Sequence, residues 1–240
     1  AKASSGGAGF SGFGFPKAHG AAFGLLAYQS TWLRVHYKPE FTCALLNEQP
    51  MGFYPADTLL HEASRTGVAV RPPDVNRSRV ACHVEADDRA IRIGLGYLTG
   101  ARADEVAAIV AEREANGPYS SLEDLASRAG AGRPALEVLA WSGACDGLIG
   151  ASTAYARRTA LWKLGITAPA HTTKATGDTQ LALALELPDA PDLAPLEAWE
   201  RMVADYSSTG VTIDPHPMEL LRPDLGKAKS ARDIETLPHG

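Results

Sequence analysis

Two glycine-bearing turns, Leu98-Thr99-Gly100-Ala101-Arg102 and Gly130-Ala131-Gly132-Arg133, each sit between short segments of helical apolar spacing. That pattern restricts the middle of the chain to helices joined by tight corners. After the first turn, Val106, Ile109 and Val110 share one helical face until Asn116-Gly117-Pro118 ends it. Ser121 then opens a helix carrying Leu122 and Leu125. After the second turn, Leu136, Leu139, Ala140 and Trp141 continue as far as Gly143, and a further helix is expected around Ala154–Leu164, with Arg157, Arg158 and Trp162. Glycine lets a backbone approach a phosphate closely and turn its amide N–H groups outward, an anion nest at a helix start. The same glycines also serve as helix C-caps, which is what a single turn of this kind ordinarily is. Two in succession suggest a tandem helix-hairpin-helix unit.

Upstream, residues 17–37 are apolar on nearly every helical face, through Phe23, Leu25, Leu26, Tyr28, Trp32, Leu33 and Val35. This predicts a buried helix. Pro16 suits its first turn, where the missing N–H would be unpaired anyway. Lys17 adds a mobile point charge and His19 a ring that can bond or stack. Local chemistry alone fits a phosphate or nucleotide site, and equally a capped core helix with a solvated lysine. Pro39 starts a second helix through Phe41, Leu45 and Leu46, and residues 55–66 form a third, with Leu59, Leu60 and Ala63 inward. Val68–Val70 reads as a short strand, and residues 80–84 and 89–95 as a β-hairpin around Glu85–Asp88.

The expected fold class is mainly α with a small β-hairpin. Residues 10–79 form a helical segment, 80–166 the β-hairpin plus tandem hairpins, 167–198 an acidic, proline-rich linker and 199–240 a connector. Residues 1–9 read as a leader or expression scar and are set aside. At 240 residues and 45% hydrophobic, one or two ordinary cores are expected. No stretch approaches the ~20 apolar residues of a membrane span, so no membrane role is expected. Cys43, Cys82 and Cys145 are odd in number and lack zinc spacing, which suits reduced thiols in a cytoplasmic protein. The remaining histidines (His36, His61, His83, His171, His216, His239) are scattered, and Asp87-Asp88 reads as a solvated turn, so no metal site is expected.

The net charge of −5 argues against a generic polyanion binder, but it is unevenly spread. Residues 1–83 carry eight Lys and Arg against five Asp and Glu, whereas residues 178–206 carry seven acids against Arg201. The acidic stretch does not suit a DNA surface and reads as a linker or protein-binding tether.

The blocks Phe15–Phe23, Tyr28–Leu33, His36–Phe41 and Ala44–Asn47 resemble the fingers of bacterial C-family replicative DNA polymerases, the polymerase III alpha subunits. Asn47-Glu48-Gln49-Pro50-Met51-Gly52-Phe53-Tyr54 is similar to the error-prone branch associated with damage-induced mutagenesis. The resemblance runs from about Gly12 to about Leu221 and is looser in the last third. It implies that Lys17, His19 and Phe23 face the incoming nucleotide. It implies too that Leu98, Thr99, Gly100, Ala101, Arg102, Gly130, Ala131, Gly132 and Arg133 grip duplex primer-template DNA. In that family the metal-binding aspartates of the palm lie upstream. This stretch is therefore expected to hold no catalytic residue and to be inactive alone, with Mg2+ belonging to the parent polymerase. Gln180-Leu181-Ala182-Leu183-Ala184-Leu185 is similar to the hexapeptide of bacterial sliding-clamp ligands, with Gln180, Leu181, Leu183 and Leu185 as the contacts, while a short strand remains equally open. No strands of OB spacing follow before Gly240, so that domain is expected to be absent. The implied localisation is cytoplasmic and nucleoid-associated. Two rival readings remain. One is a stand-alone helix-hairpin-helix repair module, which would not need the first 75 residues. The other is an adaptor for a clamp or mutasome partner, which would bind protein without DNA affinity.

Overall fold

The computed structural model describes residues 17–150, 153–167, 190–213, 215–226, 229 and 231–234. Helix α1 spans Lys17–His36, α2 Lys38–Asn47 and α3 Ala56–Arg65. Strands β1 (Val70–Arg71), β2 (His83–Val84) and β3 (Ile91–Arg92) follow, then a short 3-10 turn at Leu95–Tyr97. The helical half comprises α4 (Ala103–Asn116), α5 (Leu122–Arg128), α6 (Arg133–Trp141), α7 (Asp146–Ile149) and α8 (Thr153–Thr167). Beyond it lie α9 (Ala198–Thr209), α10 (Pro217–Leu221), a 3-10 turn at Arg222–Leu225 and α11 (Ala231–Ile234).

The boundaries follow local chemistry. Ser121 accepts a hydrogen bond from the Asp124 N–H at 3.1 Å and so caps α5. Pro39 and Pro134 stand in the first turns of α2 and α6. The α4 helix ends where Gly117 takes φ 87°, and α9 ends on Gly210 at φ 71°.

Two apolar clusters organise the molecule. One lies beneath the turns, where Leu95, Leu98, Ile109, Leu122, Leu125, Leu136, Leu139 and Leu164 are buried. The other joins α2 and α3 to the sheet through Leu46, Leu60, Ala63, Ile91 and Ile93, and takes Val211 from beyond α9. The expected hairpin forms, with β2 antiparallel to β3 and His83 opposite Arg92. The strand expected at Val68–Val70 falls instead at Val70–Arg71, and it joins the sheet parallel to β3, giving the order β1-β3-β2.

The expectation that α1 is buried is wrong. Residues 19–37 are exposed throughout, with Phe23, Leu25, Leu26, Tyr28, Trp32, Leu33 and Val35 between 41% and 68% accessible. A helix apolar all round needs cover on several sides. Among the described residues α1 meets α2, and Arg34 at its end pairs with Glu62 of α3 at 3.0 Å. No described helix is long and apolar enough to cross a membrane.

Candidate nucleic-acid interface

The two turns arrive at neighbouring helix starts. The first leaves the 3-10 turn at Leu95–Tyr97 rather than a full helix, and enters α4 with Arg102 in its N-cap position. The second links α5 to α6, with Gly132 as N-cap. Gly100 takes φ 96° and Gly130 φ 59°, the left-handed backbone that favours glycine. Gly132, by contrast, sits at φ −77°, so its lack of a side chain is not needed for conformation. Gly100 and Gly130 are exposed, and their amides donate to nothing among the described residues.

Glu105, in the first turn of α4, bridges the two corners. One carboxylate oxygen accepts from the Gly132 N–H at 2.9 Å and the other from the Arg102 N–H at 3.4 Å. The expectation that all the turn glycines point their amides outward therefore fails at Gly132, whose N–H is taken by an internal anion. Thr99 likewise donates its N–H to the Ser208 carbonyl at 2.7 Å. Leu98 and Ala131 are buried in the core beneath. Ala101 is part-buried and packs against that core.

The two arginines of the turns differ. Arg102 is exposed and forms a two-point pair with Asp104, at 3.1 and 2.8 Å. Both side chains are more than half accessible, and such a pair in water holds weakly enough to exchange for another anion. Arg133 instead donates to the Gly165 carbonyl and faces Glu137 at 3.3 Å, so it braces α6 against the end of α8.

The acidic run expected to be a free tether is in part structural. Residues 168–189, and with them the hexapeptide Gln180–Leu185, lie outside the described residues. From Glu197 onward the acids are engaged. Glu200 pairs with Arg158 at 3.0 Å, and Asp205 pairs with the buried Arg157 at 2.7 Å. Arg157 also donates to the Trp141 carbonyl at 3.2 Å and lies 4.0 Å from Asp146. Burial pushes the Asp146 carboxyl up to about 6; Arg157 opposes the shift while Asp205 and Asp74 add to it. The Asp205 carboxyl is also raised, chiefly by burial. On the other side of α9, Asp57 accepts from the Tyr206 hydroxyl at 2.6 Å and from the Thr212 N–H at 3.0 Å. Thus α9 and the residues just after it tie α8 to α3. None of Glu105, Asp57, Arg157 or Asp205 stands out as a site residue in the sequence. Only Glu105 leaves a trace there, as an acid at the third helical position.

Of the residues expected to face a nucleotide, Lys17 begins α1. The His19 ring lies 4.3 Å from that of Phe23, one helical turn on, along the exposed helix. Asp87 and Asp88 occupy the turn between β2 and β3, where Asp88 pairs with Arg71 at 2.6 Å. Among the described residues no group of three His, Cys, Asp or Glu could hold a metal ion. Cys43, Cys82 and Cys145 are free and buried, and burial raises all three thiols.

Paired corners of this kind, each turning on a left-handed glycine into a helix start over one shared core, define a helix-hairpin-helix unit. Residues 67–159 match the family model described as the helix-hairpin-helix motif. The whole chain is similar to a segment of proteins named error-prone DNA polymerase. It is 37% identical over 239 residues to that of Pseudomonas paraeruginosa strain PA7, covering 97% of this chain and 22% of the relative. For Alkalilimnicola ehrlichii the identity is 40% over 238 residues, covering 97% and 22%. For Mycobacterium tuberculosis it is 39% over 216 residues, covering 90% and 19%. The chain thus spans about a fifth of the length of these curated relatives.

Proposed function

We propose that this chain forms the duplex-holding and nucleotide-facing part of an error-prone DNA-directed DNA polymerase acting in translesion synthesis. The observation that carries the reading is the pair of adjacent helix starts, with Gly100 and Gly130 exposed and their amides uncommitted. Such corners bind phosphate oxygens through backbone N–H groups and helix dipoles, without lysine-rich surfaces and without reading bases. A chain of net charge −5 can hold DNA in this way. Lys17, His19 and Phe23 meet the incoming nucleotide, and nucleotidyl transfer with Mg2+ belongs to carboxylates elsewhere in such a polymerase. The exposed apolar α1 favours this reading over a stand-alone repair module, because so much open apolar surface marks a face covered by more protein.

The test is a fluorescence-anisotropy titration with two duplexes of unrelated sequence. Equal affinities are expected. The logarithm of the binding constant should fall against the logarithm of salt concentration with a shallow slope, corresponding to about 2–4 phosphate contacts. Strong preference for one sequence, or no binding at low salt, would refute the reading.

A further inference from the structure

We infer that Glu105 is a positioning residue that couples the two hairpins into one phosphate-binding unit, an inference that rests on the duplex-binding reading above. Its carboxylate spans from the Arg102 N–H of the first corner to the Gly132 N–H of the second, at 3.4 and 2.9 Å. Gly132 lies 27 residues beyond Glu105 in sequence, and Arg102 and Gly132 are the N-caps of α4 and α6. The positive ends of two helix dipoles thus converge on one negative charge. Glu105 is part-buried, so the interaction is less screened than the open Arg102–Asp104 pair.

The physical need is geometric. Duplex phosphates form a rigid, regular array, and two weak nests gain from linkage only when both can engage it together. The apolar core beneath holds the helices but offers no directional bond between the corners. Glu105 supplies that bond: a carboxylate reaches both amides only when the two helix starts lie within its span. It also turns the Gly132 amide inward, leaving phosphate contact to the exposed Gly100 and Gly130 amides and to Arg102. The alternative role for a carboxylate here is that of an internal competitor, filling the second nest until DNA displaces it. The two roles predict opposite effects on removal.

The experiment compares wild type, Glu105→Ala and Glu105→Gln by duplex titration across salt concentrations, alongside amide hydrogen exchange without DNA. Glutamine keeps one acceptor for the Gly132 N–H, whereas alanine keeps none. For Glu105→Ala, exchange should quicken at Gly132 and in the Thr99–Arg102 corner. Affinity should fall by about 100-fold, the lower end of the gain from linking two sites, and the salt slope should drop to about half. Glu105→Gln should keep Gly132 protected and keep the wild-type slope. An alanine variant that binds DNA as tightly as wild type, or more tightly, would overturn the coupling role in favour of competition. Exchange at Gly132 unchanged by alanine would overturn it irrespective of DNA. Failure of the wild-type chain to bind duplex strikes the duplex-binding reading instead, and the exchange data then decide the coupling by themselves.

Discussion

Replacing Arg157 with alanine should be the most destabilising single change in the helical half. Arg157 is 6% exposed. It meets Asp205 at 2.7 Å, the Trp141 carbonyl at 3.2 Å and Asp146 at 4.0 Å. Truncation leaves two carboxylates in surroundings that already raise both of them through burial, and removes the more buried of the two ion pairs that fasten α9 to α8. Removing one partner of a buried pair costs about 3–5 kcal/mol. At about 2–4 °C per kcal/mol for a domain of this size, the melting temperature should fall by about 6–20 °C. Differential scanning calorimetry without DNA measures it. The double variant Arg157→Ala/Asp205→Ala should lose less than the two single losses combined, because the carboxylate is orphaned only when it remains. Strictly additive losses, or a fall below about 2 °C for Arg157→Ala, would show that the cluster does not fasten α9.

A carboxyl raised to about 6 from an ordinary 3.8 holds its proton in the folded state after the unfolded chain has lost it, so Asp146 makes stability decline as pH rises from about 4 to about 6. Asp146→Asn should flatten that decline in urea midpoints taken at both ends of the window, and an unaltered pH slope would exclude Asp146 as its source. In the full polymerase, Lys17→Ala should chiefly raise the nucleotide KM and His19→Ala should lower incorporation efficiency. Wild-type single-nucleotide kinetics in both variants would make these residues structural. Changing Gln180, Leu183 and Leu185 together to alanine should abolish micromolar binding to the cognate clamp, about −8 kcal/mol, at constant melting temperature. A drop in melting temperature with no clamp binding by the unaltered chain would mean that the leucines pack on this protein.

The corners were legible because their punctuation is local. Ser121, Gly117-Pro118 and the glycines at 100 and 130 each act within a few residues, and the structure places helix ends where those residues require them. Legibility failed where the partner is distant. Composition marks α1 as apolar all round but carries no information about what covers it. The acids of α9 read as surplus charge because Arg157 and Arg158 lie more than 40 residues away. The sequence offers Gly130 and Gly132 alike as turn glycines. In the structure Gly130 bears the left-handed φ, and the Gly132 N–H belongs to Glu105, 27 residues back. The parallel pairing of β1 with β3 is likewise a long-range choice.

The most direct test of the account is duplex binding by a chain carrying Gly100→Val and Gly130→Val. A β-branched residue at either left-handed position is strained by about 1–2 kcal/mol, and at Gly100 that strain comes from the backbone alone, since the new Cβ would meet Val138 at an ordinary 3.5 Å. The corners should distort while the helices, held by the core beneath them, remain. Circular dichroism is expected to show wild-type helix content while anisotropy shows duplex binding lost. Retained helix with undiminished binding would contradict the claim that these two corners hold DNA.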